Sequence, residues 1–355
     1  MSKIPKEDII LYSLEDLKEY FINIGEKPFR AKQVYEWLHV KLADSFDEMS
    51  NISDKLKKKL DESFLIERLE VAKVLTSKID GTQKYLLKLR DGNVVESVLM
   101  RYKHGNSVCI STQVGCRMGC RFCASTLDGL VRNLTASEML KEIYTIQKCT
   151  NERVSNIVLM GSGEPMDNFD NVILFLNKIT DENGLHISQR NITISTCGLV
   201  DNMKKFADMG FQVTLALSLH ASDDETRKEL MPIAKRYTID QELEACRYYF
   251  EKTKRRITFE YSLVAGVNDN IAEARKLAER IKGMNCHVNL IPVNPIKERN
   301  YRKSSAASIA EFKNYLEKNG TKLLELERIG TIYDVDGQNV LFSLPLTKYT
   351  RDTNP

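Results

Sequence analysis

Gly115-Cys116-Arg117-Met118-Gly119-Cys120-Arg121-Phe122-Cys123-Ala124-Ser125-Thr126 is the stretch that decides how the chain is read. Its three thiols fall within eight residues, separated by three and then two positions, so they meet at one inorganic centre only if the backbone wraps tightly around it. Gly115 and Gly119 permit the backbone angles that such wrapping needs. A tetrahedral zinc site wants a fourth Cys or His nearby at ligand spacing, whereas iron–sulfur clusters are held by closely spaced Cys thiolates in loops of this kind. Two alternatives stand beside a cluster. One is a zinc knuckle closed by Cys109, seven residues upstream of Cys116. The other is a grouping of buried thiols, since free Cys often packs as a small hydrophobe.

With 355 residues the chain exceeds one average domain, which suits one large α/β domain with smaller appendages. Its N-terminus has no apolar signal core, and no apolar run is long enough to cross a bilayer, so neither a signal peptide nor a membrane span is expected. A cytoplasmic protein without a membrane partner is the expectation. Eight cysteines, three of them clustered, fit thiols used as ligands or catalysts in a reducing compartment better than a disulfide scaffold. The net charge of +3 permits a nucleic-acid partner without arguing for one.

Residues 1–65 read as a helical module. Ser13 and Asp16 have capping-box spacing ahead of an apolar face formed by Leu14, Leu17, Tyr20 and Phe21. A second helix starts near Phe29 with Val34, Trp37 and Leu38 on one side, and a third spans Ile52 to Phe64 and carries Lys55, Lys57, Lys58 and Lys59. That lysine run is either a solvated face or a phosphate-contacting surface for RNA. Residues 66–104 change to strand-like runs punctuated by Asp80-Gly81 and Asp91-Gly92, which favour tight hairpin turns. A small antiparallel sheet leading into the next segment is expected there. Within it Glu96 sits among Val94, Val95, Val98 and Leu99, pointing to solvent or into a cleft.

From 105 to 297 apolar strands alternate with amphipathic helices. The candidate strands are Ser107–Thr112, Asn156–Met160, Asn191–Thr196, Gln212–Leu217, Ile257–Val264 and His287–Ile291, and the clearest helix opens with a capping box at Thr135 and Glu138. Repeated strand–helix units imply a parallel sheet with right-handed crossovers. Six units suit a partial (β/α)6 barrel, whose ligands collect where strands end at their C-terminal side. The cysteine loop follows the first candidate strand, as that rule requires. Residues 298–355 complete the chain as a C-terminal helix, strand and tail.

The other strand ends carry chemistry as well. Met160-Gly-Ser-Gly-Glu-Pro165 combines glycines that allow close backbone approach with Glu164, a carboxylate able to neutralise a substrate ammonium. A plain strand-to-helix turn is the competing reading. Ser195, then Ser218 and His220, then Asn294 also stand at strand ends, although a lone histidine is commonly structural.

CxxxCxxC resembles the signature of the radical S-adenosylmethionine (SAM) enzymes, and the order of the remaining motifs resembles the RlmN/Cfr family of RNA adenosine methyltransferases. Those motifs are Val-Cys109-Ile-Ser-Thr-Gln, Met-Gly-Ser-Gly-Glu-Pro, Ile-Ser-Thr-Cys-Gly, Ser-Leu-His-Ala, Leu-Met-Pro-Ile, Arg-Ile-Thr-Phe-Glu-Tyr and Gly-Val-Asn-Asp. The Pro-Phe-Arg-Ala-Lys-Gln-Val stretch near the N-terminus extends the likeness over nearly the whole chain. The resemblance implies a radical-SAM partial barrel in which Cys116, Cys120 and Cys123 hold a 4Fe-4S cluster. It implies that Gly163, Glu164, Ser195, Ser218, Leu219, His220 and Asn294 contact SAM. Glu96 would accept a proton, and Cys109 would resolve a covalent RNA–enzyme adduct. It also implies a ribosomal or transfer RNA substrate, an electron donor such as flavodoxin or ferredoxin, and a monomer.

The family also carries a cysteine near its C-terminus that receives a methyl group from one SAM before a radical made from a second SAM activates that methyl. Where the family reads Asp-Ile-Asp, one or two Ala, then Cys-Gly-Gln, this chain reads Asp334-Val-Asp336-Gly337-Gln338, and no cysteine follows Cys286. The usual two-SAM route therefore lacks its carrier. Two other functions stay open: a radical SAM enzyme acting directly on another substrate, and a non-catalytic RNA-binding paralogue. Cys197, at a strand end, is a substitute carrier on one reading and a packed thiol on the other.

Overall fold

The computed structural model describes residues 6–296 and 298–324, together with the backbone of two paired strands, Thr331–Tyr333 and Asn339–Leu341. Asp334, Val335, Asp336, Gly337 and Gln338, on which the reading of the missing carrier rests, lie outside the described residues.

Three helices open the chain. The first, α1 (Leu14–Asn23), begins at the expected capping box: the Asp16 amide donates to Ser13 Oγ at 3.0 Å, and the Ser13 amide donates back to Asp16 Oδ2 at 2.8 Å. Leu17 and Phe21 of α1 pack with Val34, Tyr35 and Leu38 of α2 (Phe29–His39) and with Leu56 and Leu60 of α3 (Asp54–Ser63). Of the four lysines in α3, Lys55 and Lys58 are exposed, while Lys57 pairs with Asp54 and Lys59 with Glu26. The module is anchored to the rest of the molecule. Tyr35 donates to Asp181 at 2.5 Å, and the buried Lys141 ammonium donates to Ala43 O at 3.2 Å and Asp44 at 2.9 Å.

One ten-stranded sheet follows, with its strands in chain order across the sheet. The antiparallel part is β1 (Glu70–Thr76), β2 (Gln83–Lys88), β3 (Val94–Tyr102) and β4 (Gly105–Ile110). From β4 onward the pairing is parallel, through β5 (Val154–Leu159), β6 (Ile192–Thr196), β7 (Thr214–Ser218), β8 (Ile257–Leu263), β9 (Cys286–Pro292) and β10 (Lys322–Leu324). The antiparallel strands expected to lead into the barrel are thus continuous with it, because β4 pairs β3 on one edge and β5 on the other. Helices α4 (Ala136–Thr150), α5 (Phe169–Ile179), α6 (Val200–Asp208), α7 (Asp224–Leu230), α8 (Ile239–Thr253), α9 (Ile271–Arg280) and α10 (Ala306–Lys318) fill the crossovers. The result is the expected partial (β/α)6 barrel, one helical crossover after each of β4 to β9.

Alternation along the strands separates two faces. Val108, Ile110, Ile157, Leu159, Leu215 and Leu217 join the large apolar core under the helices. The intervening positions face the inside of the barrel and are largely polar, among them Ser195, Ser218, Thr258, Glu260 and Asn289. An apolar outer face buys the packing, and a polar inner face equips a site.

Helix α4 carries the chain away from the cysteine loop and is held at its start by Thr135 and Glu138, with Arg132 also donating to the Glu138 carboxylate. Thr135→Ala removes one half of this box and is expected to cost about 1 kcal/mol, read from the urea midpoint at unchanged slope.

Candidate active site

The cysteine loop leaves β4 through a short antiparallel pair, Gln113–Gly115 with Leu130–Asn133. Gly115 has φ +73°, and a Cβ there would lie 2.0 Å from the Gly129 carbonyl, so no other residue fits. The Cys116 amide donates to that same carbonyl at 2.9 Å. Thr126 Oγ1 then donates to the carbonyls of Cys120 at 3.0 Å and Cys123 at 2.9 Å, curling the chain around the three thiols. Met118, Cys120 and Phe122 pack against Leu230, Met231, Val264 and Val293, which closes one side of the loop to water.

The thiols fit a cluster. Burial pushes Cys116 up to about 11 and drives Cys120 upward as well, so both stay protonated until a cationic centre draws off the proton. Among the described residues no three His, Cys, Asp or Glu donors are close enough to share a single metal ion. Ligands of separate irons need no such convergence. Cys109 does not join them: it lies in its own pocket with Val98, Met100 and Val158. The zinc knuckle thereby loses its fourth ligand.

The glycine turn after β5 lies directly against the start of the loop. The Thr112 and Gln113 amides donate to Ser162 O at 2.8 and 3.1 Å, and a Cβ on Gly163 would lie 2.6 Å from that of Gln113. Gly163 is thus required by the contact between two strand ends. Glu164 is buried, its Oε1 accepting from the Met166 amide at 3.0 Å and its Oε2 from the Cys197 amide at 2.8 Å. It ties the ends of β5 and β6 together, and a carboxylate has further lone pairs for an ammonium.

On the next strands, Ser195 Oγ and Ser218 Oγ lie 3.3 Å apart. Leu219 and His220 are fixed by amide donation to Glu260 O at 3.0 and 3.2 Å. His220 has φ +55°, accepts the Ser262 amide on Nδ1 at 2.9 Å, and meets the edge of the Phe122 ring at 4.8 Å between centroids. Burial, with Arg227 adding to it, holds its imidazole down at about 3, so it is neutral and serves as an acceptor. Asn294 follows β9, half-buried, just after Val293, whose amide donates to Leu263 O at 3.0 Å. The structure therefore assembles Gly163, Glu164, Ser195, Ser218, Leu219, His220 and Asn294 along the strand-end rim beside the cysteine loop.

Glu96 and Cys109 stand on adjacent strands, Glu96 two residues along β3 from Val98, the partner of Cys109. Their surroundings differ. Glu96 is half-buried and accepts from Lys84 Nζ at 2.8 Å. Cys109 is buried, and burial together with the nearby Glu142 and Glu96 keeps its thiol protonated.

Sequence reasoning missed the groups that hold the rim. Arg227 is wholly buried; its Nε donates to Leu219 O at 3.0 Å, and its Nη2 donates to Cys197 O at 2.9 Å and Ser218 O at 3.2 Å. A 2.7 Å ion pair with the equally buried Glu242 balances its charge. Gly198 is the consequence, because a Cβ there would lie 2.3 Å from the Glu242 carboxylate. Glu260, in mid-strand β8, was visible only as a charge within an apolar run.

Two measurements follow from these buried charges. Arg227→Met strands the Glu242 carboxylate and is expected to cost about 3–5 kcal/mol in urea unfolding, whereas the Arg227→Met, Glu242→Leu double variant costs less. Burial pushes Glu260 from 4.5 up to about 8, opposed in part by Asn289. Between those values the folded chain holds a proton that the unfolded chain has released, so stability falls as pH rises through that window. Glu260→Gln is expected to flatten that fall, so its Tm drops less than the wild-type Tm between about pH 5 and 8.

Comparison with known proteins identifies the family. Residues 8–66 match the model for the ribosomal RNA large subunit methyltransferase N-terminal domain, and residues 110–278 match that of the radical SAM superfamily. The chain is 59% identical over 330 residues to a probable dual-specificity RNA methyltransferase RlmN of Lachnospira eligens, covering 93% of this chain and 94% of that one. It is 53% identical to the protein of that description from Clostridium novyi, over 93% and 96% of the two chains. A crystal structure of a radical SAM methyltransferase from Sphaerobacter thermophilus superposes with a TM-score of 0.85 at 37% identity, over 89% of this chain and 94% of that one. The chain belongs to the RlmN family of radical SAM methyltransferases, which work with a 4Fe-4S cluster and SAM.

Proposed function

We propose that the chain modifies an adenosine of ribosomal RNA, transfer RNA or both, and that its methyl-carrier step departs from the family's usual form. The observation that carries the reading is the joining of a complete cysteine loop and SAM-type rim to the N-terminal module. A four-iron cluster held there would supply one-electron reducing chemistry toward a bound SAM. Cys116, Cys120 and Cys123 are its ligands. Glu164 receives the SAM ammonium, and Ser195, Ser218, Leu219, His220 and Asn294 line the rest of the cofactor's seat beside Gly163. Phe122, Met118 and their apolar neighbours keep water from that seat.

Glu96 is the proton acceptor in this reading. Lys84, buried beside it, donates to its carboxylate at 2.8 Å and fixes its position. Cys109 waits as a thiol for an RNA adduct to resolve. The reductant is a small electron-transfer protein of the flavodoxin or ferredoxin kind, and the enzyme works as a monomer in the cytoplasm, where its RNA is found. No helix of the described residues is long and apolar enough to cross a membrane.

A second reading keeps the cluster and SAM but directs the radical at another substrate, and one observation favours it: no thiol follows Cys286. Anaerobic incubation of the reduced, cluster-loaded protein with SAM and unmodified ribosomal or transfer RNA separates the two. Mass spectrometry of the digested RNA is expected to find a methylated adenine. 5′-Deoxyadenosine without a methyl group on RNA or on any enzyme cysteine, under conditions where a relative is active, contradicts the first reading and supports the second.

A further inference from the structure

The residue that follows Cys116 is tied across two strand ends. Arg117 belongs to the cysteine loop, and its guanidinium makes a two-pronged ion pair with Asp167 of the turn after β5, Nε donating to Oδ2 at 2.9 Å and Nη2 to Oδ1. The partners stand 50 residues apart in the chain. Exposed ion pairs commonly hold little. Here the Arg117 side chain is 62% exposed but that of Asp167 only 9%, and the fork on a nearly buried carboxylate fixes direction as well as distance.

Asp167 passes that hold on to Glu164. Gln113, wholly buried just ahead of the cysteine loop, donates through Nε2 to Asp167 Oδ2 at 3.0 Å and to Asn133 Oδ1 at 2.8 Å, and its Oε1 accepts the Glu164 amide at 2.9 Å. Both N–H groups of the Gln113 amide and its oxygen are therefore engaged. From the other side, the Asp167 amide donates to Glu164 O at 3.0 Å and closes the turn. The contacts thus run unbroken from a residue flanked by Cys116 and Cys120 to the carboxylate that is read as receiving the SAM ammonium. Groups on separate loops that must meet one small molecule have to be held to within roughly 0.5 Å by side chains that are themselves locked. We propose that the Arg117–Asp167 pair is a latch that fixes the cysteine loop relative to Glu164, which makes both residues positioning residues for SAM. The assignment rests on reading the rim as the SAM seat and gives two residues outside that rim control of the spacing between cluster loop and ammonium site.

Calorimetric titration of the anaerobically reconstituted full chain with SAM, together with its iron content and the electron paramagnetic resonance spectrum of its reduced form, tests this in Arg117→Ala, Arg117→Lys, Asp167→Asn and the Arg117→Ala, Asp167→Asn double variant. Arg117→Ala is expected to keep its cluster and its Tm, because the side chain is largely exposed and no thiol is changed. It is expected to bind SAM about fivefold more weakly, the scale of a partly exposed ion pair, and to show a smaller spectral change when SAM is added. Arg117→Lys keeps the charge without the fork and falls between wild type and Arg117→Ala. The double variant binds SAM no more weakly than Asp167→Asn alone, since the two side chains act as one unit. Arg117→Ala that binds SAM as wild type does overturns the latch while leaving the SAM reading intact, and so do losses that simply add in the double variant. Loss of iron from Arg117→Ala also overturns it, because the residue would then serve cluster assembly. Wild-type protein that binds no SAM overturns the latch and the underlying reading together.

Discussion

A single buried guanidinium holds the rim in shape. Arg227 gathers the carbonyls at the ends of β6 and β7, Cys197, Ser218 and Leu219, onto one planar fork, with Glu242 supplying the counter-charge. Those carbonyls lie at or just past the last residues of their strands. The fork gives all three a charged donor, adding to the Ala221 amide that already donates to Leu219 O at 2.8 Å. With it, Ser195 and Ser218 are brought to hydroxyl contact, His220 adopts its left-handed backbone, and the wall that packs on Phe122 and Cys120 stays closed. Such a pair contributes little net stability; what it provides is a fixed spacing between strand ends.

The glycines answer to the same requirement of close approach. Gly115 leaves room for the Gly129 carbonyl, Gly163 for Gln113, and Gly198 for Glu242. Each stands where two chain segments meet near the cofactor seat, so substitution there would push a strand end out of place. The rim is therefore shaped by backbone fit and a central charge, and the side chains assigned to SAM project from that frame.

Much of this was legible in the sequence because it was local. The apolar runs that became β4 to β9, the capping boxes at Ser13 and Thr135, and the Cys116-to-Cys123 spacing all depend on residues near one another in the chain. The groups that escaped notice depend on tertiary contact. Arg227 sits in Asp-Glu-Thr-Arg-Lys-Glu-Leu, a polar run that looks like any solvated helix, and its partner Glu242 comes from another helix. Lys84 gains its meaning only when β2 is laid beside β3 and Glu96. The four lysines of α3, one candidate for an RNA-facing run, turn out to be partly engaged in ion pairs, a distinction that charge patterning alone does not draw. The join between the antiparallel strands and the barrel was hidden because β4 belongs to both.

The whole account stands on three thiolates presenting iron to SAM at the end of β4. The most direct measurement is the iron and sulfide content of anaerobically reconstituted protein, with the electron paramagnetic resonance spectrum of the reduced form before and after SAM is added. The account predicts a four-iron cluster whose signal shifts on adding SAM and which Cys120→Ala does not retain. One tightly held zinc ion per chain in place of iron, or an iron signal indifferent to SAM, would contradict it.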